Sequence, residues 1–216
     1  MKKTKIKYRL GLGAVFFLLV FSGCMTIPNS TTPRFYALSA IDDKQVGKKI
    51  NVASGLLLGI GPVKVPEYQD RPQMVTQNKE KMLKFAQFDR WGESLELGVA
   101  RLIREDLTVM LPGAKLTLYP WNPMVAVRYQ VVAEIVQLDS ELDKNMFLVV
   151  QWMVIDVQNS KTLFIERSEF RKPIIPQNYS GLAKTLSASL ASLSSEIARS
   201  LATLKTIKDV PAPKEK

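Results

Sequence analysis

The stretch RYQVVAEIVQLD, residues 128–139, decides the fold. Tyr129, Val131, Ala133 and Ile135 alternate with Gln130, Val132 and Glu134. A period of two predicts a strand with one face on a core. The next segment, NMFLVVQWMVIDVQ (145–158), is apolar at nearly consecutive positions and predicts a strand buried on much of both faces. TLFIERSEFR (162–171) follows an Asn159-Ser160 turn. Three strands with short connections predict an antiparallel meander. Beyond Pro173 and Pro176, Leu182, Leu186, Leu190, Leu193, Ile197, Leu201 and Leu204 recur at steps of three and four, which predicts an amphipathic helix. Its other sides carry Ser187, Ser189, Ser192, Ser194, Ser195 and several alanines, with few charges. That composition reads either as a contact surface or as a plain small-residue surface. Ala188, Ala191 and Ser195 are the candidates for packing against a second copy in a homo-oligomer.

Upstream, RFYALSA (34–40) predicts a short strand, and extended chain is expected from Leu56 to Val65. Pro62 and Pro66 there point to a sheet edge or a bulge. Residues 74–77 and 82–88 predict a hairpin around Asn78-Lys79-Glu80. Asp89 is placed to cap the helix carried by Leu95, Val99, Leu102 or Ile103, Leu107 and Met110, which Leu111-Pro112-Gly113 ends. AKLTLYPW (114–121) is a further strand, followed by a loop around Trp121. The expected class is therefore α+β: a two-layer sandwich, with a largely antiparallel sheet and two main helices packed on one face. One domain is expected over residues 34–207, with a disordered tail at 208–216.

The first 23 residues read differently. Lys2, Lys3, Lys5, Lys7 and Arg9 precede a mostly apolar run from Leu10 to Phe21, then Ser22 and Gly23. That is signal-peptide anatomy, and the run is too short to span a bilayer, which takes roughly 20 apolar residues. The next residue, Cys24, is the single cysteine of the chain. Phe-Ser-Gly-Cys resembles the lipobox of bacterial lipoproteins, with Phe21 where Leu is usual. The resemblance implies cleavage before Cys24, S-diacylglycerol on its sulfur and N-acylation of the new amino terminus. The alternative is a thiol that ends the signal by chance. Residues 25–33, with two prolines, read as a flexible tether. Asp after the lipidated cysteine resembles an inner-membrane retention signal. Met25 stands there instead, which favours the outer membrane.

The formal charge of +10 falls to +5 once residues 1–23 are removed. The remaining Lys and Arg form no basic stripe with interleaved aromatics, so no nucleic-acid partner is expected. Histidine is absent, which removes the commonest general base and metal ligand. With Cys24 acylated, no thiol nucleophile or thiolate zinc site remains, and neither a catalytic residue nor a cofactor is expected. Carboxylate chemistry has formal candidates in Glu93 and Glu96 and in Asp143 of DSELD (139–143). Each also fits a plainer role, at a helix start or in a polar turn.

IGPVKVPEYQDRPQMVTQ, FDRWGESLELGVARLIREDL, YPW, VVQWMVID and the closing NYSGLAKTLSASLASLSSEIARSLATL resemble the PqiC-like auxiliary lipoprotein family of ABC-type transporters. The resemblance runs from about Pro33 to Ile207 and is most specific from Gly61 to Gln73. It implies a non-enzymatic, periplasm-facing domain on the outer membrane. Its partner would be a PqiB-like, MCE-domain periplasmic protein of an intermembrane lipid-transport system. Tyr68, Asp70, Arg71, Gln73 and Trp121 are candidate partner contacts, with turn chemistry around Pro72 as the plainer account of Asp70 and Arg71. Two other functions stand beside it: a lipid carrier with an enclosed apolar pocket, and a carboxylate-based envelope enzyme.

Overall fold

A computed structural model describes residues 31–46 and 49–208. The expected signal segment, Cys24, most of the tether and the tail past Lys208 lie outside the described residues. From Pro33 onward the chain forms one compact unit. Its strands are β1 (Arg34–Tyr36), β2 (Leu56–Lys64), β3 (Gln73–Gln77), β4 (Leu83–Trp91), β5 (Ala114–Leu118), β6 (Tyr129–Ser140), β7 (Asn145–Asp156) and β8 (Lys161–Pro173). The helices are α1 (Leu95–Met110) and α2 (Tyr179–Lys208), with one 3₁₀ turn at Asp43–Gln45. A five-stranded sheet has the order β5-β2-β6-β7-β8, and a three-stranded sheet the order β1-β4-β3. This is an α+β sandwich.

The meander is antiparallel throughout, with Val131 opposite Val154 and Trp152 opposite Glu166. The alternation in β6 holds to Ile135 and then changes phase. Register shifts between Ile135 and Gln137, leaving Val136 exposed and returning Leu138 and Ser140 to the buried side. Such an extra residue is a β-bulge. β2 is not an edge strand: it lies between β5 and β6 and is parallel to both. Pro62 is accommodated by the other expected device, a register shift between Ile60 and Val63.

Both helices lay their apolar stripes on the sheets. The seven apolar residues from Leu182 to Leu204 are buried, as are Leu95, Val99, Leu102, Ile103, Leu107 and Met110 of α1. Each such side chain, fully buried, contributes about 1.5–3 kcal/mol. Trp152, 2% exposed, lies in the same core, and its indole donates to Ser168 Oγ at 3.0 Å.

Asp89 does not cap α1. Ser94 does, its Oγ accepting from Leu97 N at 3.3 Å. Asp89 lies within β4 and is 4% exposed. It accepts two bonds from Arg34, both at 2.8 Å, and one from the Tyr36 hydroxyl at 2.8 Å. Burial opposes its ionisation, but Arg34 and Tyr36 outweigh burial and hold the carboxyl below its ordinary range. The contact fixes β1, where the chain enters the domain, to β4 at Asp89. A comparable clamp closes the meander. Arg128 donates to both oxygens of Asp156 at 2.7 Å, and Asn159 donates its backbone and side-chain N–H to the same carboxylate.

Candidate functional site

The segment most specific in sequence, residues 61–73, runs from the end of β2 through a tight loop at 65–72 to the first residue of β3. Gln69 N donates to Pro66 O at 2.8 Å and Arg71 N to Gln69 O at 2.8 Å. The pairing of β2 with β6 stops at Lys64 opposite Glu134, so β6 beyond its bulge lacks a strand on that edge. Two side chains of the loop fill the gap. Tyr68 Oη accepts from Leu138 N at 3.3 Å, and Gln69 Nε2 donates to Leu138 O at 2.9 Å. Gln69 is 2% exposed; Tyr68 is half-buried, and burial pushes its phenol up from the ordinary value. Pairing buried backbone groups in this way avoids the cost of an orphaned donor or acceptor.

The same loop turns its charges outward. Asp70 and Arg71 are exposed, and Gln73, half-buried, begins β3. The Arg71 guanidinium lies 4.3 Å from the centre of the Phe85 ring on β4, a cation–π contact. Trp121 is elsewhere. It is half-buried, the least buried of the three tryptophans, and meets Tyr119 edge-on at 5.6 Å. Its ring covers Gly59, where a Cβ would come within 2.5 Å of Trp121 Cζ3. The structure thus brings Tyr68, Asp70, Arg71 and Gln73 together and leaves Trp121 on the outer side of β2.

The small-residue side of α2 is largely used within the chain. Ser187 Oγ accepts from Ser39 N at 3.1 Å, Ser189 Oγ donates to Thr185 O at 3.0 Å, and Ser194 is fully buried. Ser195, half-buried, donates to Ala191 O and lies 3.8 Å from Met110 Sδ on α1. Ala188 is exposed and Ala191 half-buried; both line a groove of about 470 Å³ between residues 36–41 and α2.

Asp106, on α1, is buried without a full set of partners. Its Oδ1 accepts from Ile41 N at 2.9 Å. Among the described residues Oδ2 has no hydrogen-bond partner and neither has Ser194 Oγ, the hydroxyl of α2 that faces this carboxyl. Burial, assisted by the nearby Glu105 charge and opposed by Ile41 N and Ser194, raises the Asp106 carboxyl above its ordinary range. A folded value above the unfolded one contributes stability below the unfolded value, near 3.9, and loses it as pH rises through the folded value. Asp106→Asn keeps an acceptor for Ile41 N and gains a donor for Ser194. Thermal denaturation is expected to show an Asn variant at least as stable as wild type at pH 8, without the decline on raising pH from 4. A steeper decline in the variant would contradict this account.

The carboxylates considered for catalysis occupy plainer places. Glu93 is paired with Arg101 at 2.6 Å, Glu96 lies in the first turn of α1, and Asp143 is exposed in the β6–β7 turn. Among the described residues no group of three His, Cys, Asp or Glu is placed to hold a metal, and no helix is long and apolar enough to cross a membrane.

A family model described as ABC-type transport auxiliary lipoprotein component matches residues 36–198. Among solved structures, the protein XCC0632 from Xanthomonas campestris, of the DUF330 family model, superposes with a TM-score of 0.63 at 9% identity. It covers 82% of this chain and 100% of that one. A crystal structure described only as that of an uncharacterized protein gives a TM-score of 0.62 at 17% identity, covering 78% of this chain and 98% of that one. At these identities the likeness speaks to fold alone. No curated protein matches the sequence.

Proposed function

Because the chain belongs to the family of ABC-type transport auxiliary lipoprotein components, we propose that it is the outer-membrane lipoprotein subunit of an MCE-type intermembrane lipid-transport system. In this reading it is held by acylated Cys24, faces the periplasm, and docks the PqiB-like, MCE-domain component at the outer membrane without catalysing a reaction. The family match over residues 36–198 carries the reading. Phe21-Ser22-Gly23-Cys24 supports the anchor and Met25 the choice of membrane. Two acyl attachments or more make membrane residence stable, where one alone is marginal.

The interior supports docking over carriage of lipid. The sheet–helix interface is filled by side chains such as Leu58, Ile103, Leu148, Leu186 and Leu193, each fully buried. Grooves of about 590, 470 and 400 Å³ lie on the surface and are lined in part by Lys, Asp, Glu, Gln or Ser. The loop with Asp70 is the candidate contact, rigidly held through Tyr68 and Gln69 on the β6 backbone.

Affinity capture of the lipidated protein from solubilised membranes, after mild cross-linking, tests the reading. An MCE-domain protein is expected among the partners identified by mass. Asp70→Arg is expected to reduce that recovery about tenfold, the loss of roughly 1.4 kcal/mol. Recovery of the protein with no MCE-domain partner would count against it.

A further inference from the structure

The outer face of the β1-β4-β3 sheet is unusually apolar for a surface. Arg90 of β4 stands opposite Phe35 on one side and Gln73 on the other; Phe85 stands opposite Val75, and Leu83 opposite Gln77. Paired side chains share a face, and so do residues two apart along β3. Phe35, Phe85 and Leu83 therefore lie on one face, 65%, 50% and 42% exposed, with Met82, 61% exposed, beside them at the hairpin. The opposite face is spent on the core, through Met74 and Trp91, and on the Arg34–Asp89 clamp.

Two arginines frame the exposed rings. Arg71 stacks on Phe85, and Arg90 belongs to the same face by register. Among the described residues neither is in an ion pair; Arg71 is exposed, while Arg90 is half-buried, with its Nε buried and without a hydrogen-bond partner. Exposed aromatic rings beside unpaired guanidinium groups match the boundary of a phospholipid layer. Rings settle there at headgroup depth, and guanidinium groups pair with phosphate in a forked geometry.

The chain itself selects the occupant. Phe35 is the second residue of β1 and stands eleven positions after Cys24. At no more than about 3.6 Å per residue, covalent geometry keeps it within about 40 Å of an acylated sulfur. A patch so close to the anchor need only orient the domain, because the lipid supplies the hold. We propose that this face, centred on Phe35 and Phe85 and framed by Arg71 and Arg90, rests on the phospholipid surface to which the chain is tethered. The inference depends on the lipid-anchor reading of Cys24.

The test uses the full lipidated protein carrying Phe35→Cys, Phe85→Cys or, as a control on exposed β5, Lys115→Cys, each labelled with bimane. Acylation of Cys24 leaves the introduced thiol as the one that reacts. Vesicles are phosphatidylethanolamine and phosphatidylglycerol with brominated acyl chains. Labels at 35 and 85 are expected to lose fluorescence about twofold, while the label at 115 changes little, as for side chains at and away from the interface. Adding Arg71→Glu and Arg90→Glu is expected to relieve most of that quenching. If the protein floats with the vesicles but all three labels respond alike, the inference is wrong and the anchor stands. Shielding of 35 and 85 in concentrated protein without lipid would assign the face to a second copy and overturn it. A protein that does not float would sink the anchor reading and this inference together.

Discussion

Gly181→Ala is expected to lower stability by about 3 kcal/mol, near the upper end for overpacking, and the melting temperature by roughly 6–12 °C. Gly181 sits in the first turn of α2, where its N–H donates to the Asn178 side chain at 2.9 Å. A Cβ there would stand 1.8 Å from Pro176 O and 2.9 Å from Ile175 C. These are backbone atoms, not the mobile end of a side chain, so either the first turn or the 174–178 connection must move. Both are tied down: Ile174 is 1% exposed, and Leu182, next to Gly181, is 2% exposed. Lys184→Ala, three residues on and exposed, serves as control and is expected to stay within about 0.5 kcal/mol. A Gly181→Ala protein melting within a degree of wild type would show that the start of α2 is looser than its packing implies.

Cys24→Ala is expected to abolish lipid modification while leaving the domain folded, since β1 begins only at Arg34. Intact mass is the direct readout. The wild-type chain is expected to start at residue 24 and to carry diacylglycerol plus one further acyl chain; the variant carries neither. Its membrane-bound fraction after a high-salt wash is expected to fall at least tenfold, because among the described residues no helix is long and apolar enough to cross a membrane. The apolar run of residues 10–21 could hold an uncleaved variant at a membrane, so mass and fractionation are read together. An unmodified variant that is cleaved and still resists salt would show that lipid is not the sole anchor.

The parts of the fold legible in sequence are those with a strong local period. The leucine row from Leu182 to Leu204 reported its buried stripe directly, and the alternation from Tyr129 to Ile135 reported which face of β6 is inside. What was hidden depends on partners distant in the chain. Periodicity cannot say that β2 lies parallel to β5 and β6, because a pattern of apolar residues names no neighbour. Asp89 has the chemistry of a helix cap, but Arg34 and Tyr36, more than fifty residues earlier, claim its carboxylate.

The candidate site was legible to a similar extent and for the same reason. Residues 66–73 stood out as a turn with charges, and the charges are indeed outside. Gln69 gave no sign of burial, since polar residues are ordinarily exposed; its position follows from the missing strand beside Leu138. The serines of α2 read equally as a contact surface or as a plain one; Ser187 and Ser194 meet residues 38–41 and α1 within the same chain, which no local pattern announces. Phe35 and Phe85 share a face through the register of β1, β4 and β3 alone, fifty residues apart in sequence.

In the proposed function the chain holds an MCE-domain component at the outer membrane. The most direct measurement is the share of that component recovered with outer-membrane fractions on a density gradient, compared between cells with the wild-type chain, with Cys24→Ala, and with the gene deleted. The share is expected to fall to the same low level in the variant and the deletion, while the component's total amount is unchanged. An equal share in all three strains would contradict it.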